Sequence, residues 1–200
     1  QDVWDYDLGS QVTLLDWPAE GGDRPAVLLP SKQGDLYILD RETGESLVPM
    51  EEIKTPAGGV EDGNYAPTQP ASGFHTLRKA DLTEADMWGV TPLDQLFCRI
   101  AFRQLNYKGE FTAPSTQDTL IYPGYYGGFN WGSASIDEDT GYLFLNDIRI
   151  PQIVKLIPHD EVDESKLVAG HGVGSTYPMH GTPFVIDHKA FNSPLGIPCQ

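Results

Sequence analysis

Apolar and polar residues alternate in short runs over most of this 200-residue chain, and Gly, Pro, Asn or Asp interrupts the pattern every few positions. Period-two alternation between such breaks marks strands with one buried face. Residues 2–7 and 11–16 are predicted as the first two strands, followed by a hairpin turn at Ala19-Glu20-Gly21-Gly22-Asp23. Residues 26–30 and 35–40 form the next pair, which runs into a tight turn at Arg41-Glu42-Thr43-Gly44, where Gly44 suits a positive φ. A last strand is expected over residues 183–187. One window, 91–105, has the helical period instead. Thr91 caps it, Pro92 takes the first position and Asp94 sits in the positive first turn. Leu93, Leu96, Phe97, Ile100 and Ala101 share the spacing of one buried helical face, with Arg99 and Arg103 on another side. Residues 49–76, rich in Pro and Gly, are expected to run as an extended excursion, and residues 158–182 as a mobile loop.

The turn after residue 40 has an echo. Asp40-x-x-Thr43-Gly44 recurs as Asp137-Glu138-Asp139-Thr140-Gly141, again between apolar runs. A strand, such a turn and a second strand make the hairpin unit of many β-propeller blades. The two copies lie further apart than the ~40–50 residues of one blade, so an insertion intervenes, placed at roughly 49–110. Gly and Pro together make 37 residues (21 + 16), which favours an all-β chain with many loops over long helices.

Charge narrows the function. Thirteen basic against 29 acidic residues give a net charge of −16, a surface that repels phosphate backbones and argues against nucleic-acid binding. No apolar run approaches the ~20 residues needed to span a bilayer. No Gly-rich phosphate-binding pattern occurs, so nucleotide binding has no support. Cys98 and Cys199 are the only cysteines, and neither lies in a Cys-x-x-Cys setting, which excludes covalently attached haem. They form either a disulfide, in an oxidising compartment, or two buried free thiols; spacing alone does not choose.

The residues able to do chemistry sit near both ends of the apolar runs. On a strand Asp5 and Asp7 share a face, where each carboxylate raises the pKa of the other unless a cation intervenes. A general base needs a fixed position and a suitable pKa, which a strand end beside Trp4 can supply; capping a loop is the other use for Asp2, Asp5 and Asp7. Lys32, at the end of the 26–30 strand and before Gly34, is either a snorkelling surface lysine or a cation that stabilises a developing oxyanion. Asn146 ends an apolar strand and either satisfies it or reaches a ligand, and Trp131 either walls a pocket or fills a core. His180 is either a loop histidine or a substrate contact; His75, His159, His171 and His188 show no ligand spacing.

Asp2-Val3-Trp4-Asp5-Tyr6-Asp7 and Ser31-Lys32-Gln33-Gly34, together with Ala85-Asp86-Met87-Trp88-Gly89, Asp94-Gln95-Leu96-Phe97-Cys98-Arg99, Phe129-Asn130-Trp131-Gly132 and Pro194-Leu195-Gly196-Ile197-Pro198-Cys199, resemble the pyrroloquinoline quinone (PQQ) dehydrogenases, in the branch of membrane-bound glucose, quinate and polyol enzymes. The resemblance runs in order along nearly the whole chain. It implies part of an eight-bladed quinoprotein β-propeller with one helical insertion, although the tryptophan that usually follows the turn in such propellers is missing from both copies. It implies a PQQ-dependent oxidation of a sugar, polyol or cyclitol alcohol on the periplasmic side of the bacterial inner membrane, with electrons passed to ubiquinone through a membrane anchor outside this chain.

The same resemblance assigns roles. Asp5, the second aspartate of the Asp-x-Trp-Asp pattern, matches the proton acceptor, and Lys32 the group that polarises the quinone. Lysine rather than arginine at that place fits the sugar and polyol branch. Asn146 matches a PQQ-contacting asparagine, Trp131 lies in an element near the pocket, and Asp7 stands where some relatives place a metal ligand. The main Ca2+ or Mg2+ ligands and the groups that stack on PQQ are expected outside this segment, which reads as a piece of a longer protein, inactive in isolation. A non-catalytic periplasmic propeller, a scaffold or glycan-binding module, is the rival; it has no need for an acid and a lysine aimed at one pocket.

Overall fold

The computed structural model describes residues 3–60, 65–74, 77–163, 165, 167 and 173–200. Among these described residues, eleven β-strands and one α-helix form the regular structure, with short 3-10 turns between them. Strands β1 (Thr13–Trp17), β2 (Arg24–Pro30) and β3 (Leu36–Asp40) make an antiparallel three-stranded sheet. β4 (Met50–Lys54) pairs with β5 (Thr68–Ser72), and β7 (Ala134–Asp137) with β8 (Tyr142–Leu145), as separate antiparallel hairpins. β6 (Thr119–Ile121), β9 (Gln152–Pro158), β10 (Ser175–Pro178) and β11 (Phe184–Ala190) build a four-stranded sheet in the order β10-β11-β9-β6.

Both Asp-x-x-Thr-Gly turns form as expected, and the side chain of the aspartate explains why. Asp40 Oδ1 accepts from the backbone N–H of Glu42 at 2.8 Å and Thr43 at 2.9 Å, while Gly44 donates back to the Asp40 carbonyl at 2.9 Å. At the second copy Asp137 Oδ1 accepts from Asp139 N–H at 3.1 Å, and Gly141 donates to the Asp137 carbonyl at 2.7 Å. These bonds favour the ionised carboxylate, so both groups lie below the usual carboxylate range, Asp40 chiefly through the Thr43 N–H and Asp137 chiefly through the Thr140 hydroxyl.

Four sequence expectations are corrected. Residues 3–7 are not a strand: Asp5 has φ 61° and breaks the extended run, and the segment is held by side chains instead. Asp2, at its start, lies outside the described residues, as do His75 and His171. The excursion over 49–76 contains the β4–β5 hairpin, and the loop over 158–182 contains the end of β9, a 3-10 turn at His159–Glu161 and β10. In both stretches backbone pairing overrides a weak side-chain pattern, because a ladder needs N–H and C=O groups rather than apolar residues.

The fourth correction concerns the helix. α1 (Pro92–Gln104) starts as predicted, with Thr91 Oγ1 accepting from Asp94 N–H at 3.1 Å. Its buried residues, however, are Asp94 and Cys98, and Ala101 and Phe102 pack behind them. Leu93 is 79% exposed, and Leu96, Phe97 and Ile100 also face outward. Apolar residues surround α1 on several sides, so its period allows more than one inner face. A disulfide between Cys98 and Cys199, with Cα atoms 5.4 Å apart, decides which one turns inward. Around it Leu82, Met87, Leu120, Tyr122 and Phe191 form one core cluster.

Two further clusters position the candidate site. Ala26, Leu28, Leu36, Ile38 and Phe129 fill the inner face of the β1–β3 sheet. Trp4, Phe111, Ile121 and Val154 form the other, and this one fixes the irregular N-terminal segment. Trp4 is fully buried, donates from Nε1 to the Thr112 carbonyl at 2.7 Å, meets Tyr6 edge-to-face at a ring separation of 5.7 Å and packs on the tilted ring of Phe111 at 5.5 Å. Tyr6 donates its hydroxyl to the Pro123 carbonyl at 2.5 Å. Asp5 therefore stands between two anchored aromatic residues.

Candidate active site

Anchoring Trp4 and Tyr6 leaves the intervening aspartate in the left-handed region, a conformation that Asp tolerates better than most residues. Such an outlier persists only where its surroundings over-determine it. Here Lys32 supplies that restraint. Its Nζ donates to the Asp5 carbonyl at 2.8 Å, makes a short contact with Asp7 Oδ1, and lies 3.7 Å from Asp5 Oδ2. The Lys32 side chain is only 8% exposed, whereas those of Asp5 and Asp7 are 76% and 64% exposed. A buried stem thus ends in an ammonium that gathers two carboxylates at an open surface. Asp5 and Asp7 come together as expected, though through a shared cation and not through strand alternation.

Lys32 reaches this position because the chain at 124–132 closes over it. Gly127, at φ 74°, packs on the lysine stem so tightly that a Cβ there would stand 2.4 Å from Lys32 Cβ and Cγ. Gly128 donates from its N–H to the Lys32 carbonyl at 2.6 Å, tying the two loops by their backbones. Replacing Gly127 with alanine is expected to destabilise the full-length protein by about 1–3 kcal/mol from the backbone conformation alone. A melting temperature equal to wild type would show that the loop relaxes without strain.

Of the remaining predicted residues, Trp131 lies on the same loop and the others on separate segments. Trp131 is 87% exposed, which removes the core alternative, and an added Cβ on Gly9 would sit 3.5 Å from its Cδ1 and 3.6 Å from Asp7 Oδ2. Asn146, just after β8, is exposed, and its Nδ2 would stand 3.1 Å from a Cβ on Gly132. Trp131 and Asp7 therefore both border Gly9, and Asn146 borders the loop that carries Trp131. His180 is exposed in the turn between β10 and β11. Asp7, expected as a metal ligand, closes on Lys32; among the described residues no group of three or more His, Cys, Asp or Glu is placed to hold a metal ion.

An o-quinone carrying carboxylates needs cationic and amide donors and a flat apolar contact. Lys32 offers a cation, Asn146 an exposed amide and Trp131 an exposed indole, so the kinds of group present suit PQQ. No helix among the described residues is long and apolar enough to cross a membrane.

Sequence reasoning missed two features. The first is a pocket of about 380 Å³ that shares Asp5 with the lysine cluster and is lined by Trp4, Tyr125, Tyr177, Met179 and His188 among others. His188, set aside from the sequence for want of ligand spacing, is buried there, stacked on Tyr125 at 4.6 Å with Nδ1 3.1 Å from the Tyr177 hydroxyl. Burial, and after it the Asp5 carboxylate, pushes the Tyr177 phenol up. The second is a buried charge cluster, in which Arg78 lies 3.8 Å from Asp35 and 3.9 Å from Glu110. Desolvation pushes Glu110 up to about 7 against the opposing pull of Arg78. Neither feature has a local signal, because each joins residues from distant parts of the chain.

All 200 residues match the family described as "PQQ: Glucose/ethanol/alcohol dehydrogenase, beta-propeller domain". Among similar curated proteins, "Probable quinate dehydrogenase (quinone)" of Xanthomonas campestris pv. juglandis is 42% identical over 204 residues, covering 100% of this chain and 26% of the relative. "Glycerol dehydrogenase large subunit" of Gluconobacter oxydans (strain 621H) is 45% identical over 199 residues, covering 93% of this chain and 27% of the relative. "Quinoprotein glucose dehydrogenase" of Escherichia coli (strain K12) is 39% identical over 203 residues, covering 100% and 26%. The chain spans about a quarter of the length of these relatives.

Proposed function

Because the chain belongs to the β-propeller family of PQQ-dependent glucose, ethanol and alcohol dehydrogenases, we propose that the full-length protein oxidises a sugar, polyol or cyclitol alcohol with PQQ as cofactor. The observation that carries this reading is the ammonium of Lys32 held between the Asp5 carbonyl and the Asp7 carboxylate, with Asp5 itself in the left-handed region. A scaffold gains nothing from concentrating one buried cation and two exposed acids at a strained residue.

When bound, PQQ supplies the two-electron oxidant that takes up hydride from the alcohol carbon. The protein's own groups manage the proton and the charge. Asp5 accepts the alcohol proton: its carboxylate is exposed, and its backbone is fixed by Lys32 and by the aromatic anchors on either side. Lys32 would supply the cation beside the bound quinone that offsets negative charge there. Asp7 is a positioning residue that keeps the ammonium directed toward Asp5. Asn146, through its amide, and Trp131, through its indole, would help hold the cofactor. Ca2+ or Mg2+ is held mainly by residues outside this chain, within an eight-bladed propeller. Electrons pass to ubiquinone, with the catalytic domain on the periplasmic side of the bacterial inner membrane and its anchor beyond this segment.

The test is dye-linked oxidation by the full-length protein, reconstituted with PQQ and Ca2+ or Mg2+, against glucose, quinate and glycerol. Turnover that requires PQQ supports the proposal and identifies the substrate; absence of PQQ uptake, read by absorbance, would reject it in favour of a non-catalytic propeller. In the same assay Lys32→Ala is expected to lower kcat by about 10²–10³-fold, the usual cost of losing one preorganised charge-stabilising group. Lys32→Arg retains the cation and is expected to lose less. Equal kcat in the alanine variant and wild type would make Lys32 a purely structural lysine.

A further inference from the structure

The buried charge cluster joins the two halves of the candidate site. Asp35 closes the turn that carries Lys32, its carbonyl accepting from Ser31 N–H at 3.0 Å. The Asp35 carboxylate is fully buried, accepts from Ser72 N–H at 3.0 Å and lies 3.8 Å from Arg78 Nη1. Leu77, the residue before Arg78, donates its N–H to the Gly34 carbonyl of the same turn at 2.8 Å. The same Arg78 nitrogen lies 3.9 Å from Glu110 Oε2. Phe111, next in the chain, has φ 60° and packs on both aromatic anchors of Asp5, at ring separations of 5.5 Å to Trp4 and 5.8 Å to Tyr6. One cation thus ties the turn of the lysine to the loop that supports the acid. Two acids around one largely buried cation stabilise poorly, because desolvation offsets much of their attraction. Such a bridge supplies instead a fixed register between the segments it joins.

Glu110 is the end of this brace that changes state. Its Oε1 is buried with no hydrogen-bond partner among the described residues, and burial pushes the carboxyl up to about 7. Arg78 and Arg149 pull the other way, while Asp35 and Asp81 add to the rise; Asp81 Oδ1 also accepts the Glu110 N–H at 2.8 Å. Lys54, Lys79 and Lys108 line the flanking clefts. Tyr107 and Tyr122 lie there too, with phenols that burial pushes up and keeps neutral. Glu110 therefore passes from neutral to charged between about pH 6 and 8, and its attraction to Arg78 is complete only at the upper end.

We propose that Glu110 is a positioning residue for the Asp5–Lys32 pair, acting through Arg78 on the turn that carries Lys32 and through Phe111 on the aromatic anchors of Asp5. Charged Glu110 holds Arg78 and keeps the ammonium and the base in register. Neutral Glu110 releases its end of the brace. The inference rests on the dehydrogenase reading of Asp5 and Lys32 and adds a residue, remote from the proton transfer, that tunes them.

The test measures kcat and KM between about pH 6 and 8 for full-length PQQ-loaded wild type and Glu110→Gln, on whichever of glucose, quinate or glycerol wild type oxidises. Glutamine keeps the size of the side chain, mimics the neutral acid and leaves Arg78 its pairing with Asp35, so the variant is expected to fold. The two proteins should be equal at about pH 6, whereas at about pH 8 the variant should lose about three- to tenfold in kcat with KM near wild type. A general loss of stability would lower both ends alike. In the Lys32→Ala background the same substitution is expected to change kcat by less than about twofold, because the residue it acts through is gone. Parallel pH profiles, or an undiminished effect in the Lys32→Ala background, would overturn the inference while leaving the dehydrogenase intact. A wild type that oxidises no alcohol would bring down the dehydrogenase reading and this inference together.

Discussion

Asp5→Asn is expected to lower turnover of the full-length protein by about 10²–10⁴-fold, the range for loss of a positioned general base, with PQQ affinity close to wild type. The two parts of this expectation separate because Lys32 bonds Asp7 and, at residue 5, the backbone carbonyl at 2.8 Å rather than the carboxylate at 3.7 Å, and the substitution leaves that carbonyl in place. Asparagine also tolerates the left-handed region that residue 5 occupies at φ 61°, so the local backbone survives. Asp7 does not substitute for the lost base, since its carboxylate is closed on the Lys32 ammonium. Steady-state turnover measured beside PQQ titration checks both halves. Turnover within tenfold of wild type would remove Asp5 from proton transfer. Loss of PQQ binding together with turnover would recast it as a cofactor ligand.

Removing the Cys98–Cys199 disulfide is expected to have the largest effect on stability. The bond closes a loop with a sequence separation of 101. In the chain-entropy account a loop of that size contributes about 4.7 kcal/mol, and loss of native disulfides generally costs about 2–5 kcal/mol. The segment around Cys199 has other ties: Trp88 N–H donates to the Cys199 carbonyl at 2.7 Å, and Gln200 Nε2 to the Tyr122 hydroxyl at 3.0 Å. Those bonds are noncovalent and vanish on unfolding, so only the covalent link restricts the unfolded chain. Urea unfolding of full-length protein with and without reductant, and of the Cys98→Ala/Cys199→Ala pair, should show the midpoint shifted down alike. An unchanged midpoint would mean that the core cluster around α1 holds without the bond.

What was legible in the sequence divides along physical lines. The Asp-x-x-Thr-Gly turns and the Thr91 cap were readable because their hydrogen bonds close within a few residues. The segment before β1 was misread as a strand because nothing local reveals that Trp4 bonds to Thr112, more than a hundred residues away, and so bends the chain at Asp5. The helix failed in a subtler way: its limits were right and its inner face was wrong, since an element apolar on several sides leaves the choice to its partners.

Chemical identity belongs to the sequence by itself: an acid, a lysine, an amide and an indole in an order that resembles one family, on a strongly acidic chain rich in turns. Only the tertiary structure decided that Lys32 would gather Asp5 and Asp7, that Cys98 and Cys199 would join, and that Tyr125, Tyr177 and His188 would wall a pocket at the candidate base. The reason is the range of the interactions. Caps and turns satisfy backbone groups with their own neighbours, whereas a buried stem, a shared cation or a stacked pair exists only after distant segments have packed together and excluded water.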